Sequence, residues 1–456
     1  MPHFLLVTGK LAEPAVRRMA SELETRVGAK FSVAVLPITV VALAPTSWIV
    51  RHLNPDPPID RVLLPGLCQG ELDLFTAAWP GVVVERGPKD LRDMPEFFGH
   101  AATRPADYGF HDISILAEIN NAPRWPRADL LARAKRAAAD GADIIDLGCD
   151  PGGAWSGLAE TVRACRDEGL RVSVDTFNPI EAAAGAKAGA ELVLSVNRTN
   201  REAAVDWGCE VVAIPDVVGT LDGLAETVRF LSDRKIPHRL DPILEPIGIG
   251  FANSLARYHE TRRRFPDAEM MMGVGNLTEL TDADSAGLNV MLLGFCQELR
   301  IRSVLTTEVI NWARSSVREL DLARRLVAYA CKHRVVPKRL EPDLVLLRDD
   351  RLREHGQQRL DELASQITDR NFRLFAERGR IHVLAKETHL TGDDPFALFA
   401  ELLGQSDLTP SHAFYLGYEM AKAVTALTLG KNYTQDQPLR WGFLTREEAS
   451  GRHDDR

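Results

Sequence analysis

The chain has 456 residues, 45% of them hydrophobic and 26% charged, with a net charge of −9. That length exceeds one ordinary core and predicts two or three domains of globular composition. The acidic balance argues against a nucleic-acid partner, and no run of about 18 apolar residues is present to span a membrane.

Phe4-Leu5-Leu6-Val7 lacks a basic segment or a small-residue cleavage site, so it reads as a first strand and not as a signal peptide. A helix over Glu13–Thr25 and strands at Ser32–Leu36, Arg61–Leu64 and Val82–Glu85 follow. Residues 1–105 are thus expected to form a small α/β domain, with Asn54-Pro55-Asp56-Pro57-Pro58 as a rigid connector and a polar stretch at 100–105. Thr8-Gly9-Lys10 resembles a phosphate loop only superficially; without more glycine and a following Ser or Thr, a plain strand–turn–helix is expected.

From Asp112 the pattern becomes periodic. Strands are predicted at Ile113–Ile119, Ile144–Leu147, Arg171–Asp175, Leu192–Val196, Val211–Ile214, His238–Ile243, Glu269–Met272 and Val304–Thr306. Amphipathic helices lie between them, among them Arg127–Asp140, Gly157–Glu168, Ile180–Ala188, Leu224–Asp233 and Asp282–Glu298, and a last one runs near Ser316–Lys332. Eight βα units in about 225 residues predict a closed TIM (β/α)8 barrel over residues 106–335. Apolar strands without alternation fit a sheet covered on both faces. Pro337 breaks the pattern. Residues 336–456 are expected to form a C-terminal α+β domain with an apolar run Leu344–Leu347, a polar helix Arg351–Asp369, a strand Ile381–Leu384 and a helix Ser411–Leu429. In that last helix Leu416, Met420, Val424 and Leu427 make a packing stripe.

The six cysteines form no C-x-x-C pair and sit mostly in apolar segments, which predicts buried free thiols in a reducing cytoplasm. The twelve histidines show no zinc-ligand spacing. His382 and His389 read as a solvated polar edge.

In a barrel of this type, polar residues at the C-terminal strand ends build the site. Here they are Glu118 and Asn120; Asp146; Asp175; Asn197; Asp241; and Asn276. A ring of carboxylates and carboxamides without clustered Lys or His suits a neutral heterocycle rich in N–H donors. Asp146 could touch ligand or orient loop backbone, and Glu118 could act as a base, bind metal, or be a buried paired group. Arg198 and Arg201 could reach a phosphate or lie on an exposed helix face. Cys149 reads as a small apolar filler.

The segments GADIIDLG (Gly141–Gly148), VSVDTF (Val172–Phe177), AGAELVLSVN (Ala188–Asn197) and DPILEPIGIGF (Asp241–Phe251) resemble, in order, motifs of the pterin-binding superfamily. That superfamily includes dihydropteroate synthase and the methyltetrahydrofolate:corrinoid methyltransferases. The resemblance implies a barrel of the dihydropteroate synthase type holding a reduced pterin. By position Asp175 and Asp241 match the family's pterin-binding aspartates, Asn120 lies near its strand-one asparagine, and Asn197 is a displaced strand-four candidate. GVGNLTEL (Gly273–Leu280) replaces the synthase's Ser-Arg-Lys and is closer to the methyltransferases' Gly-x-Ser-Asn, which brings in Asn276. At strand eight Thr306-Thr307-Glu308-Val309 stands in place of Arg-x-His, so the synthase's pyrophosphate and arylamine sites do not carry over.

Flanking segments, LLPGLCQGEL (Leu63–Leu72) and HAFYLGYEMAKAVTALTLGKNYTQDQPLRWGFL (His412–Leu444), are similar to three-domain dihydropteroate synthase-like proteins associated with tetrahydromethanopterin synthesis. The resemblance implies a transferase that joins a dihydropterin methylene, carried as its pyrophosphate ester with Mg2+, to an arylamine. It also implies a homodimer. A one-carbon transferase acting from a reduced pterin and a non-catalytic pterin-binding or assembly subunit are the competing readings.

Overall fold

Short runs of Val, Ile and Leu become parallel strands in both halves of the chain. The computed structural model describes residues 2–55, 59–89, 91–99, 104–105, 107–368, 371–386, 388–405 and 408–448. Residues 56–58 of the connector and 100–103 of the polar stretch lie outside that set. Two compact units result, Met1–Ala106 and Asp107–Arg456.

The first unit is a four-stranded parallel sheet built from β1 (His3–Gly9), β2 (Lys30–Leu36), β3 (Arg61–Leu64) and β4 (Val83–Arg86). Its strand order is β2-β1-β3-β4. The helix Glu13–Val27 follows β1, so Thr8–Lys10 is indeed a strand end and turn. Apolar side chains cover both faces, with Leu5, Val7 and Leu64 on one and Phe4, Leu6 and Leu63 on the other, as a parallel sheet requires.

In the second unit eight parallel strands close into a barrel. They are β5 (Ser114–Ile119), β6 (Ile144–Gly148), β7 (Val172–Asp175), β8 (Leu192–Val196), β9 (Glu210–Ala213), β10 (His238–Leu240), β11 (Glu269–Gly273) and β12 (Ser303–Thr306), with β12 pairing back onto β5. Alternation along each strand sorts the side chains. Ile115, Ala117, Ile145, Val172 and Val174 face the surrounding helices. Leu116, Ile144, Leu192, Leu194, Val212 and Met271 fill the interior. The same alternation puts Glu118, Asp146, Ser173 and Asp175 on the inner side, one layer nearer the C-terminal mouth.

Helices Arg127–Asp140 and Leu224–Asp233 have the bounds that the sequence predicts. The first stops at Gly141, whose φ of 114° and lack of Cβ both matter, because a Cβ there would lie 2.6 Å from the Asp321 side chain. The sixth strand is shorter than expected. It ends at Leu240, not Ile243, because Pro242 cannot donate to a ladder and Ile243 takes a left-handed φ of 66°.

Past the last barrel helix, Ser316–His333, the chain makes an antiparallel sheet from β13 (Arg373–Glu377), β14 (Arg380–Ala385) and β15 (Thr388–Gly392). Helices Gln357–Gln366, Pro395–Gln405 and Pro410–Leu429 accompany it. Leu416 and Met420 pack against Leu374, Ile381 and Val383, with Val424 and Leu427 partly buried beside them. The run Leu344–Leu347 forms no strand, and Leu346 and Leu347 are exposed. His382 is buried, not solvated, with Nδ1 3.4 Å from His389 Nε2. Tyr108 Oη donates to Glu341 at 3.0 Å, tying this segment to the start of the barrel.

Candidate active site

Three neighbouring strands each deliver one carboxylate to the inner face of the barrel. Glu118 sits beside Asp146 in the β5–β6 register, and Asp175 pairs with Gly148 in the β6–β7 register. Gly148 makes room for this: a Cβ there would lie 2.6 Å from Glu118 Oε1. Asp146 accepts from Ser173 Oγ at 2.5 Å, and Asp175 from Ser195 Oγ at 2.9 Å. Asp146 therefore orients a side chain and not loop backbone. Its second oxygen, Oδ2, is buried without a hydrogen-bond partner, the kind of orphan acceptor that native structures seldom leave. Glu118 forms no ion pair among the described residues.

Ser195 reaches Asp175 from an unusual backbone. The β8–β9 register slips between Val193 and Val196, and Ser195 has φ 69°. Such a bulge re-aims a side chain at the rim of a barrel.

Burial raises all of these acids. It pushes Glu118 up to about 7, helped by Asp175 and then Glu279. Burial, followed by Asp175 and Glu118, holds Asp146 well above the carboxylate range. It also raises Asp175, against the Ser195 hydrogen bond. The folded chain thus keeps protons that the unfolded chain has released, so it binds more protons than the unfolded state between the ordinary carboxylate range and about pH 7. Stability must fall as pH rises through that window. Chemical denaturation at about pH 5 and about pH 8 should show this loss, and Glu118→Gln should reduce it. An identical loss in the variant would remove Glu118 from the cause.

Asp241 follows β10 directly. Its Oδ1 accepts from Tyr258 Oη at 2.6 Å and from Ile243 N at 2.8 Å. Burial pushes its pKa up to about 6, while those two bonds and one from Gly273 N–H oppose the rise. Ile243 is β-branched, and its left-handed φ is a strained conformation of the sort that clusters at functional sites. The strain is held from behind: Arg257 donates to the Ile243 carbonyl at 3.1 Å, to Glu245 at 2.6 Å and to the Gly219 carbonyl at 3.2 Å.

The other candidates divide. Asn276 lies at the end of β11, where its Nδ2 donates to the Leu244 carbonyl at 2.9 Å in the loop after Asp241. Asn197 is buried, but its Oδ1 accepts from Thr199 N and Oγ1, closing a local turn. Asn120, at the end of β5, borders a side cleft and accepts through its carbonyl from Trp125 Nε1. Arg198 pairs with Asp216 at 3.6 Å and is largely exposed. Arg201 donates to Thr227 and lies over the Phe230 ring, 5.2 Å from its centroid, so it packs on the helix Leu224–Asp233. The Cys149 thiol is pushed far up by burial, which fits a filler better than a nucleophile. Tyr258 and Ser195 escape sequence reasoning. Tyr258 lies 17 residues past its partner, in an arginine-rich helix.

Comparison with known proteins matches three separate segments of the chain. Residues 2–89 match a family of unknown function, DUF6513, and residues 359–436 match PterinBD-DUF4346. An uncharacterized protein of Methanocaldococcus jannaschii is 29% identical over 365 residues, covering 72% of this chain and 69% of that one. Among solved structures, dihydropteroate synthase of Thermus thermophilus aligns with 46% of this chain and 92% of its own at 21% identity and a TM-score of 0.38. That of Anaplasma phagocytophilum, with bound 6-hydroxymethylpterin-monophosphate, aligns with 48% and 99% at 15% identity and a TM-score of 0.38. Within the barrel, residues 126–235 match the family of pterin binding enzymes.

Proposed function

We propose that the barrel binds a reduced pterin and transfers its methylene, activated as a pyrophosphate ester, to an arylamine, in the synthesis of a cofactor of the tetrahydromethanopterin or folate type. One observation carries this reading. Asp175 and Asp241 each have one oxygen engaged by a side-chain hydroxyl, Ser195 and Tyr258, in a buried carboxylate cluster at the strand ends. Carboxylates oriented in this way are suited to accept paired N–H donors from an amino-pyrimidinone edge. The match of residues 126–235 to pterin binding enzymes supports the same ligand class.

In the reaction, the amine nitrogen forms a bond to the methylene carbon while the carbon–oxygen bond breaks and pyrophosphate leaves with the electron pair. The amine gives up a proton. Glu118, at about 7, is the group this reading assigns to receive it near neutral pH. Mg2+ bound with the pyrophosphate would supply charge neutralisation of the leaving group; among the described residues no three His, Cys, Asp or Glu side chains are grouped to hold a metal ion.

A second reading, one-carbon transfer from the pterin, draws on the same cluster: Glu118, raised by burial, could protonate a pterin nitrogen. Incubation with dihydropterin pyrophosphate, Mg2+ and an arylamine separates the readings. Arylamine-dependent release of pyrophosphate is the expected result. Pterin binding without release would leave one-carbon transfer or a non-catalytic pterin subunit, and no pterin binding would refute all three.

A further inference from the structure

The first unit holds a cavity of its own. Its sheet runs β2-β1-β3-β4, with every neighbouring pair parallel. From β1 the chain crosses to β2 on one side, and from β3 to β4 on the other, so the winding reverses at the β1–β3 boundary. In open parallel sheets ligands enter the crevice outside the C-terminal strand ends at that boundary. Here the loops close up in pairs on either side of it. Lys10 N donates to the Ile38 carbonyl at 3.0 Å and Leu11 N to the Thr39 carbonyl at 3.2 Å, joining the loops after β1 and β2. Gly9 permits that approach, since a Cβ there would lie 2.6 Å from the Thr39 carbonyl oxygen. On the other side Gly87 N donates to the Leu64 carbonyl at 2.8 Å. Among the described residues no backbone hydrogen bond joins the loop after β1 to the loop after β3. A cavity of about 210 Å³ opens there, lined from both sides of the boundary.

The walls decide what fits. Leu6, Val16, Leu63 and Met94 form buried parts of them, while Leu11 and Val40, also lining the cavity, are 72% and 40% exposed. Apolar side chains left in water around a concave, apolar space mark a binding surface. Among the described residues no carboxylate, carboxamide, histidine or arginine lines it, and its polar side chains are Thr8, Thr39 and Lys89. Thr8 Oγ1 donates to the adjacent Gly9 carbonyl at 3.4 Å. Lys89 is exposed and has no carboxylate within ion-pair distance among the described residues. A pterin edge finds no carboxylate here, and a polyphosphate finds one cation and no glycine-rich cradle. A dry apolar cavity of roughly 150 Å³ takes up benzene, so this one has room for one ring or two fused rings.

We infer that this cavity binds a small aromatic compound of one or two fused rings bearing a single acidic group. The ring enters between Leu63 and Met94, and the acid stays at the mouth beside Lys89. The inference does not depend on the transfer reaction proposed above, because every lining residue belongs to the first unit.

Calorimetric titration of the full-length protein with 2-naphthoate, and with 2-naphthalenemethanol as its uncharged counterpart, tests the two halves of this assignment. Saturable binding of both is expected. Leu11→Glu, at an exposed position where folding tolerates the change, should weaken both about tenfold or more by replacing apolar wall with charge. Lys89→Met should weaken the acid about two- to fivefold and leave the alcohol unchanged, as expected for one solvent-exposed charge pair. A thermal melt confirms that each variant is folded. Absent saturable binding, or equal binding in the parent and Leu11→Glu, overturns the site. Equal binding of the acid in the parent and Lys89→Met overturns the acidic group. Displacement of 2-naphthoate by 6-hydroxymethyl-dihydropterin would place the ring in the barrel and overturn the assignment to the first unit.

Discussion

Asp241→Asn is expected to bind 6-hydroxymethyl-dihydropterin about 10- to 100-fold more weakly than the parent, a loss of about 1.5–3 kcal/mol. The size follows from how the carboxylate is held. Oδ1 is already committed to Tyr258 Oη and Ile243 N, both donors. An asparagine must therefore keep its oxygen on that side and turn its NH2 toward the ligand, where it meets the N–H groups of the pterin edge. Flipping the amide restores an acceptor for the ligand but sets NH2 against two donors. Either choice loses a charge-assisted hydrogen bond and adds a mismatch. Calorimetric titration reads the affinity, and a thermal melt confirms that the variant is folded. If the variant binds as tightly as the parent, the carboxylate after β10 is not the pterin anchor.

Arg324→Ala should destabilise the barrel unit by about 3–5 kcal/mol, the range for removing one partner of a buried ionic network. Arg324 is 3% exposed. It donates to the Ile113 carbonyl at 2.9 Å, the Gly141 carbonyl at 3.1 Å, Asp143 at 2.6 Å and Asp321 at 2.8 Å. Those partners belong to the chain entering β5, the end of the first barrel helix, the entry to β6 and the last barrel helix. One guanidinium thus joins the first βα unit to the eighth. Truncation strands two carbonyls and an almost fully buried Asp321, which among the described residues keeps Arg318 and Arg325. Arg324→Lys should recover only part of the loss, since an ammonium cannot span that fork. Urea denaturation measures both, and a parental midpoint in Arg324→Ala would show that closure does not depend on this group.

Neither Arg324 nor Tyr258 could be found by reading along the chain. Both sit in helices whose apolar spacing explains them without a partner, and their partners are non-local. The barrel was legible because most of its strands are short apolar runs followed by a helix of standard length; β10, His238-Arg239-Leu240, and the four-residue 3-10 turn Ala203–Asp206 after β8 are the exceptions. Asp146, Asp175 and Asp241 were legible because strand period and strand end together fix which side chains face inward and upward. Asn197 shows the limit of that rule. Its residue type suits a ligand, yet Asn197-Arg198-Thr199 also encodes a side-chain-capped turn, and the local bonds prevail. The overlong sixth strand has a similar origin: hydrophobic periodicity carries no information about a residue's φ, and Ile243 is a poor advertisement for a left-handed turn. In the C-terminal segment the short strands β13 and β15 carry too few apolar residues to stand out.

The brevity of β10 also bears on how the barrel holds together. Only Arg239 and Leu240 pair with β11, and three residues pair with β9. This is the thinnest part of the ring. Beyond it the chain is fastened by side chains, through the Asp241 bonds to Tyr258 and Ile243 and the bond from Asn276 to the Leu244 carbonyl. A molecule that bridges Asp241 to groups on neighbouring strands would act as a clasp across this seam. Part of its binding free energy would then appear as resistance of the ring to opening, so occupancy of the mouth and integrity of the wall would be linked quantities.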